Sequence, residues 1–182
     1  MRIVSFSLRA AATVVAAVLL ASSARAQQPE PLDGPGRVFQ DSLVERLAGD
    51  WTMPGTVRGE PATFSLHAEW VLNHQFLRLD MRDAAEPPAY QATVYIGRDN
   101  TSERYVAHWL DVFGGRWSET LGYGTRVGDE IRFVFEYPDG PFHTTFTFDP
   151  RTGRWTLLMR NRAPDGAWRE FARYELRRRS PG

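Results

Sequence analysis

Residues 130–149 read EIRFVFEYPDGPFHTTFTFD. Ile131, Phe133, Phe135 and Tyr137 alternate with Glu130, Arg132 and Glu136. After Pro138-Asp139-Gly140 the pattern resumes, with Phe142, Phe146 and Phe148 opposing His143, Thr145 and Thr147. A period of two places successive side chains on opposite faces of a strand. Pro-Asp-Gly supplies the preset and positive φ values of a tight turn. The stretch is therefore an antiparallel hairpin with one aromatic face and one wet face. Residues 154–162 repeat the pattern, with Trp155, Leu157 and Met159 opposing Arg154, Thr156 and Arg160.

Working outward, the same signature fills the chain from Trp51 onward. Strands are expected at 50–58, 62–72, 75–82, 90–97, 103–111, 117–125, 130–137, 142–149, 154–162 and 168–177. Turn residues separate them: Gly97 to Asn100, Gly114-Gly115, Val127 to Asp129, Asp149 to Gly153 and Ala163 to Gly166. About ten short strands without crossover helices imply an all-β, antiparallel up-and-down β-barrel or a sandwich. Before them, Phe39, Leu43, Val44 and Leu47 lie at helical spacing. Ser42-x-x-Glu45 resembles a capping box, so one short N-terminal helix is expected over 38–48.

The first residues carry a different signal. Arg2 and Arg9 precede an apolar run over 10–21, and Ala24-Arg25-Ala26 forms a small-x-small cleavage site. This pattern reads as a secretory signal peptide over 1–26, cleaved after Ala26. No Cys stands there for a lipoprotein anchor. A flexible, Pro- and Gly-rich leader is expected over 27–37 and the barrel domain over 38–179. The expected location is the periplasm of a Gram-negative bacterium, or secretion beyond it, with no membrane anchor after cleavage.

Composition excludes several chemistries. The chain has no Cys, and all 22 basic residues are Arg. Thiol nucleophiles, thiolate metal sites and Lys Schiff bases are therefore absent. Removing Arg2, Arg9 and Arg25 from the 22 leaves 22 acids in excess by 3, which speaks against a nucleic-acid partner. The sequence has no nucleophile elbow, phosphate loop, dinucleotide fingerprint or zinc-protease motif. The four histidines, His67, His74, His108 and His143, show no metal-binding spacing, so no metal site and no cofactor are expected. A single His as axial haem ligand is the alternative.

Residues 105–112, YVAHWLDV, place Tyr105, Ala107, Trp109 and Asp111 on one face and His108 on the other. An inward Asp111 could orient a ligand; alternatively it sits at the rim and caps the following turn. Glu119, Asn161, Glu170 and Tyr174 are further polar residues on the expected inner face. The expected lumen-lining set is Trp51, Trp70, Trp109, Asp111, Tyr123, Phe133, Phe135, Phe146, Met159 and Glu170. These side chains either fill a core or line a pocket, and one pattern serves both.

Two further features carry a family resemblance. Gly49-Asp50-Trp51 stands where the helix meets the first strand. This arrangement resembles the lipocalin/calycin pattern, in which the Trp plugs one barrel end under a basic residue of the last strand. Arg173 and Arg177 are the candidates here. The segments LAGDWTMPGTV (47–57), EWVLNHQFLRLDMRD (69–83), YIGRDNTSERYVAHWLDVFGG (95–115) and RAPDGAWREFARYELRR (162–178) together resemble the DUF1579-type lipocalin-like proteins, a bacterial group of unknown function. Asn73-His74 and the turn at 99–102 depart from that group's usual residues, and Met53-Pro54 interrupts the opening typical of haem-binding nitrobindin-like barrels. The resemblance implies the barrel fold more than any ligand; the function expected is binding of a small apolar or amphipathic molecule in the lumen. An enzyme using lumen carboxylates, or a filled barrel that docks a protein partner, are the alternatives. No oligomeric state is indicated.

Overall fold

The computed structural model describes residues 37–179. The expected signal peptide and nearly all of the expected leader lie outside the described residues. The ten strands are β1 (Gly49–Val57), β2 (Glu60–Val71), β3 (Phe76–Asp83), β4 (Gln91–Asp99), β5 (Arg104–Asp111), β6 (Leu121–Val127), β7 (Glu130–Tyr137), β8 (Gly140–Asp149), β9 (Arg154–Arg162) and β10 (Trp168–Arg178). Each pairs antiparallel with its sequence neighbours, and β10 pairs back onto β1, closing the barrel. Closure leaves no sheet edge exposed.

Two expected elements differ. The helix of 38–48 is only a 3-10 turn over Val44–Leu47. Asp41, not Ser42, supplies its cap: one carboxylate oxygen accepts the backbone N–H groups of Leu43 and Val44. Strand 117–125 starts later, because the Gly114-Gly115 turn leads into a one-turn helix, α1 (Gly115–Ser118), that carries Trp117. β6 follows it.

The two ends of the barrel are unlike. The N-terminal segment crosses one end and buries Phe39, Leu43, Val44 and Leu47 against it. There Trp51 is 0% exposed, and its indole N–H donates to the Leu47 carbonyl at 2.8 Å. The Arg178 guanidinium lies over the ring at 4.2 Å from its centroid. It also donates to the carbonyls of Ala48 and Arg46, each at 3.0 Å. Arg178 therefore takes the place expected of Arg173 or Arg177. Those two face outward and pair with Glu170 and Glu175 respectively, because they alternate with the inward Ala172, Tyr174 and Leu176, whose parity Arg178 shares. The Gly of Gly-x-Trp has a steric reason. Gly49 has φ +119°, and a Cβ there would stand 2.2 Å from the Arg178 guanidinium.

Asp41 ties the same segment to the wall. Besides its two backbone donors it accepts from the Tyr105 hydroxyl on β5 and from Arg126 on β6, the latter at 2.7 Å. Burial works to raise its pKa, but the hydrogen bonds from Tyr105, Val44, Leu43 and Arg126 hold it below the ordinary carboxylate value.

The Arg178 contact predicts that Arg178→Ala lowers stability by about 1–2 kcal/mol, combining a cation–π contact with two hydrogen bonds to carbonyls. Arg178→Lys should recover only part, since an ammonium cannot stack and reach both carbonyls. Urea midpoints of the three proteins check this.

Asp41 contributes its stability above the unfolded pKa near 3.8 and loses it as pH falls through the lower folded value. Asp41→Asn is expected to cost roughly 3 kcal/mol at neutral pH. It should also flatten the loss of stability below about pH 4. Thermal melts from pH 7 downward measure both effects.

Candidate functional site

The strands sort their inward residues by height. Residues near the turns β2–β3, β4–β5, β6–β7 and β8–β9 lie at the sealed end, and residues near the alternate turns lie at the other. At the sealed end Trp51, Trp155, Phe133, Phe146 and Leu176 are packed and almost wholly buried. Toward the other end the lumen opens into a cavity of ≈ 690 Å³. Phe64, Met81, Phe135, Phe142, Met159 and Phe171 supply its apolar wall. The rings meet edge-on, Phe142 with Phe171 at 5.4 Å and Phe64 with Tyr174 at 5.4 Å, which leaves the remaining faces to the cavity.

A polar relay runs along one side of this wall. The Trp109 indole N–H donates to the Tyr90 hydroxyl at 3.0 Å, and that hydroxyl donates to Asp111 at 3.1 Å. The other Asp111 oxygen accepts the Phe113 N–H at 2.9 Å, and its carbonyl accepts from Gly114. Asp111 thus borders the cavity and also caps the turn after β5. Burial pushes the Tyr90 phenol well above its ordinary value; the Trp109 donor opposes this and the Asp111 charge adds to it. Tyr137 is pushed up to about 12 by burial and by the Asp111 charge, and Tyr174 to about 12 by burial and the Asp83 charge. These phenols remain neutral hydrogen-bonding groups at ordinary pH.

Thr144 adds a different feature. It is 2% exposed, lies on the cavity wall, and its hydroxyl has no hydrogen-bond partner among the described residues. Its neighbours on the inner face of β8 are phenylalanines.

Of the expected lumen set, Trp109, Asp111, Phe135 and Met159 border the cavity together. Asn161 and Tyr174 border it too. Four others face inward or cap the sealed end without reaching it. Trp51, Phe133 and Phe146 are buried below it, and Trp70 packs on Phe39 and His74. Alternation reports which face a residue occupies, whereas its height in the barrel depends on its distance from each turn.

Two members of the set point outward. Tyr123 is 48% exposed and stacks under Arg104 at 4.0 Å. Its neighbours Gly122 and Gly124 take the inner face, because the Phe135 and Phe133 rings fill the space. A Cβ at either glycine would come within 2.5 or 2.7 Å of those rings. Glu170 pairs with Arg173 on the outer wall at 3.0 Å. A bulge between Glu170 and Ala172 inserts Phe171 as the inward residue. Glu119, also expected inward, is exposed and does not border the cavity.

None of the four histidines borders the cavity. His67 pairs with Asp50 on the outer wall, His74 stacks on Trp70, His108 donates to the Ser118 carbonyl and His143 stacks on Trp168. Among the described residues no cluster of His, Asp and Glu has the form of a metal site.

The missed cavity residues divide by signal. Tyr90, Tyr137 and Phe142 were legible as apolar residues at strand ends. Phe171 was not, since only the bulge turns it inward. Arg58, Asp139 and Arg162 sit in or beside turns, where alternation gives no direction.

No family model matches the chain, and no curated protein does. Among solved structures, Rv2717c from M. tuberculosis is similar, with a TM-score of 0.53 and 13% sequence identity. The match covers 78% of this chain and 100% of that one. At this identity the likeness supports the barrel fold alone.

The unpaired Thr144 hydroxyl gives a direct expectation. Thr144→Val keeps the shape and removes the polar atom, so the empty protein should be unchanged or more stable by up to about 1 kcal/mol. A loss of more than about 1 kcal/mol in urea unfolding would mean that the hydroxyl is satisfied in solution.

Proposed function

We propose that this protein is an exported carrier that holds one small amphipathic molecule in the open half of its barrel. The observation that carries the reading is the ≈ 690 Å³ cavity, walled by aromatic and Met side chains, with its charged groups on the connections at the mouth. Ligand sites have this composition: an apolar wall for affinity and a few placed polar groups for orientation. Such a cavity does not suit a filled barrel acting only as a docking module. The signal peptide read over 1–26 supports export to the periplasm or beyond.

Acid–base catalysis is the second reading. One observation favours it: Asp111 and Asp139 both border the cavity, and Asp111 is oriented by Tyr90. A general acid or base needs a carboxyl within hydrogen-bond reach of the reacting group. In an enzyme, Asp111→Asn would abolish turnover; in a carrier it would leave binding of an apolar probe nearly intact.

The deciding experiment compares native and denatured masses of the mature protein purified from the periplasm. An extra mass lost on denaturation is expected. In parallel, N-phenylnaphthylamine should bind with a rise in fluorescence at one molecule per chain. Met159→Trp, which fills the cavity from β9, should weaken that binding at least about tenfold while the protein stays folded by circular dichroism. Unchanged binding by the folded variant would place the probe elsewhere and overturn the lumen site.

A further inference from the structure

The charged groups that border the cavity are sorted by sign. Following the strand order of the closed barrel, the connections at the open end run β1–β2, β9–β10, β7–β8, β5–β6 and β3–β4 around the rim. Arg58 stands on the first and Arg162 at the start of the second, and both border the cavity. Asp139 stands on the third and Asp111 at the start of the fourth, and both border it as well. Two guanidiniums thus occupy one arc and two carboxylates the next. None of the four is in an ion pair among the described residues. Elsewhere this chain pairs arginine with acid repeatedly, as in Arg78 with Glu69 and Asp80, Arg126 with Asp41, and Arg154 with Glu175.

Each arc has its own supporting chemistry. Arg58 stacks on Phe171 at 5.1 Å, and its backbone N–H donates to the Phe171 carbonyl at 2.7 Å, which fixes it beside the lumen. Arg162 spends one N–H on the Gly166 carbonyl at 3.2 Å and keeps its other donors. Guanidiniums so held match a phosphate or carboxylate. The acidic arc is also the aromatic one. Trp117 and Tyr137 meet edge-on at 5.7 Å, and Phe113 and Tyr90 lie beside Asp111. Carboxylates among aromatic faces match an ammonium group. Trp117 already holds the Arg116 cation at 4.9 Å from its ring. The Asp111 charge also contributes to raising the Tyr137 phenol on the neighbouring connection.

Building on the carrier reading, we infer that the ligand is a zwitterionic amphiphile: an apolar tail in the lumen, an anionic group at Arg58 and Arg162, and a cationic group at Asp111 and Asp139. A head of one sign would satisfy one arc and bring like charge beside the other. A dipolar head satisfies both, and the four cavity-bordering charges, two of each sign, each gain a partner of opposite sign.

The test uses the mature protein and four probes with one dodecyl chain, each kept below its micelle concentration. They are dodecylphosphocholine, dodecyl phosphate, dodecyl trimethylammonium and dodecyl maltoside, read by displacement of N-phenylnaphthylamine. Dodecylphosphocholine should bind about tenfold tighter than each of the other three. Arg58→Ala with Arg162→Ala should weaken the phosphocholine and phosphate probes and leave the maltoside unchanged. Asp139→Asn should weaken the phosphocholine and trimethylammonium probes only. All three substitutions lie at exposed positions, and matching melts confirm folding. Equal binding of maltoside and phosphocholine would overturn the dipolar head while the carrier reading stands. A preference for the phosphate or the trimethylammonium probe alone would overturn it in favour of a head of one sign. Failure of every probe, N-phenylnaphthylamine included, would overturn the carrier reading itself.

Discussion

The stacking of Arg178 on Trp51 is the contact on which the rest of this structure depends. It joins the last strand to the first at the point where the barrel must close, and it lies under the N-terminal segment. The guanidinium uses its flat face on the indole and its edge on the carbonyls of Ala48 and Arg46. One side chain therefore satisfies two backbone acceptors that would otherwise compete for donors at a crowded end. Gly49 is the cost of that geometry, since any larger residue would occupy the place of the guanidinium.

Sealing one end firmly allows the other to stay open. The hydrophobic gain is concentrated where Trp51, Trp155, Phe133 and Phe146 pack with the strap residues Leu43, Val44 and Leu47. With the fold held from below, the upper wall needs fewer inward contacts. There the side chains are rings that meet edge to face, flexible Met and polar Tyr, which stand apart without leaving large buried polar groups unpaired. Tyr90 is paid off on both sides, accepting from Trp109 and donating to Asp111. Thr144 is the exception, a hydroxyl placed in the wall without a protein partner.

Much of this architecture was legible in the sequence, for a physical reason. A strand buried on one face writes its burial as a period of two, and turn residues mark its ends, so the strands emerge with small errors at their termini. Facing fails where one residue breaks the period. At Phe171 the bulge reverses the parity of what precedes it, sending Glu170 outward. At Gly122 and Gly124 the inner residue has no side chain, so the eye assigns the face to Tyr123. Height was not legible at all. Trp51 and Met159 carry the same inward signal, yet one seals the floor and the other borders the cavity. Of the mouth charges only Asp111 was legible; Arg58 and Asp139 sit within turns and Arg162 beside one, where no periodicity exists to place them.

The separation of charge around the mouth follows from the meander itself. In an up-and-down barrel the connections at one end come from alternate hairpins, so residues distant in sequence become neighbours on the rim. Arg58 and Arg162 are brought side by side by the pairing of β10 with β1, the same closure that Arg178 and Trp51 secure at the opposite end. Asp139 and Asp111 follow on the next two connections. Arg58, Asp139 and Arg162 alone are exposed charges in or beside turns, and Asp111 is a half-buried strand-end carboxylate. Closure sets Arg58 beside Arg162 on the rim, whereas the consecutive pairing of β5, β6 and β7 sets Asp111 beside Asp139. The floor contact and the basic arc of the mouth are thus two consequences of one strand pairing.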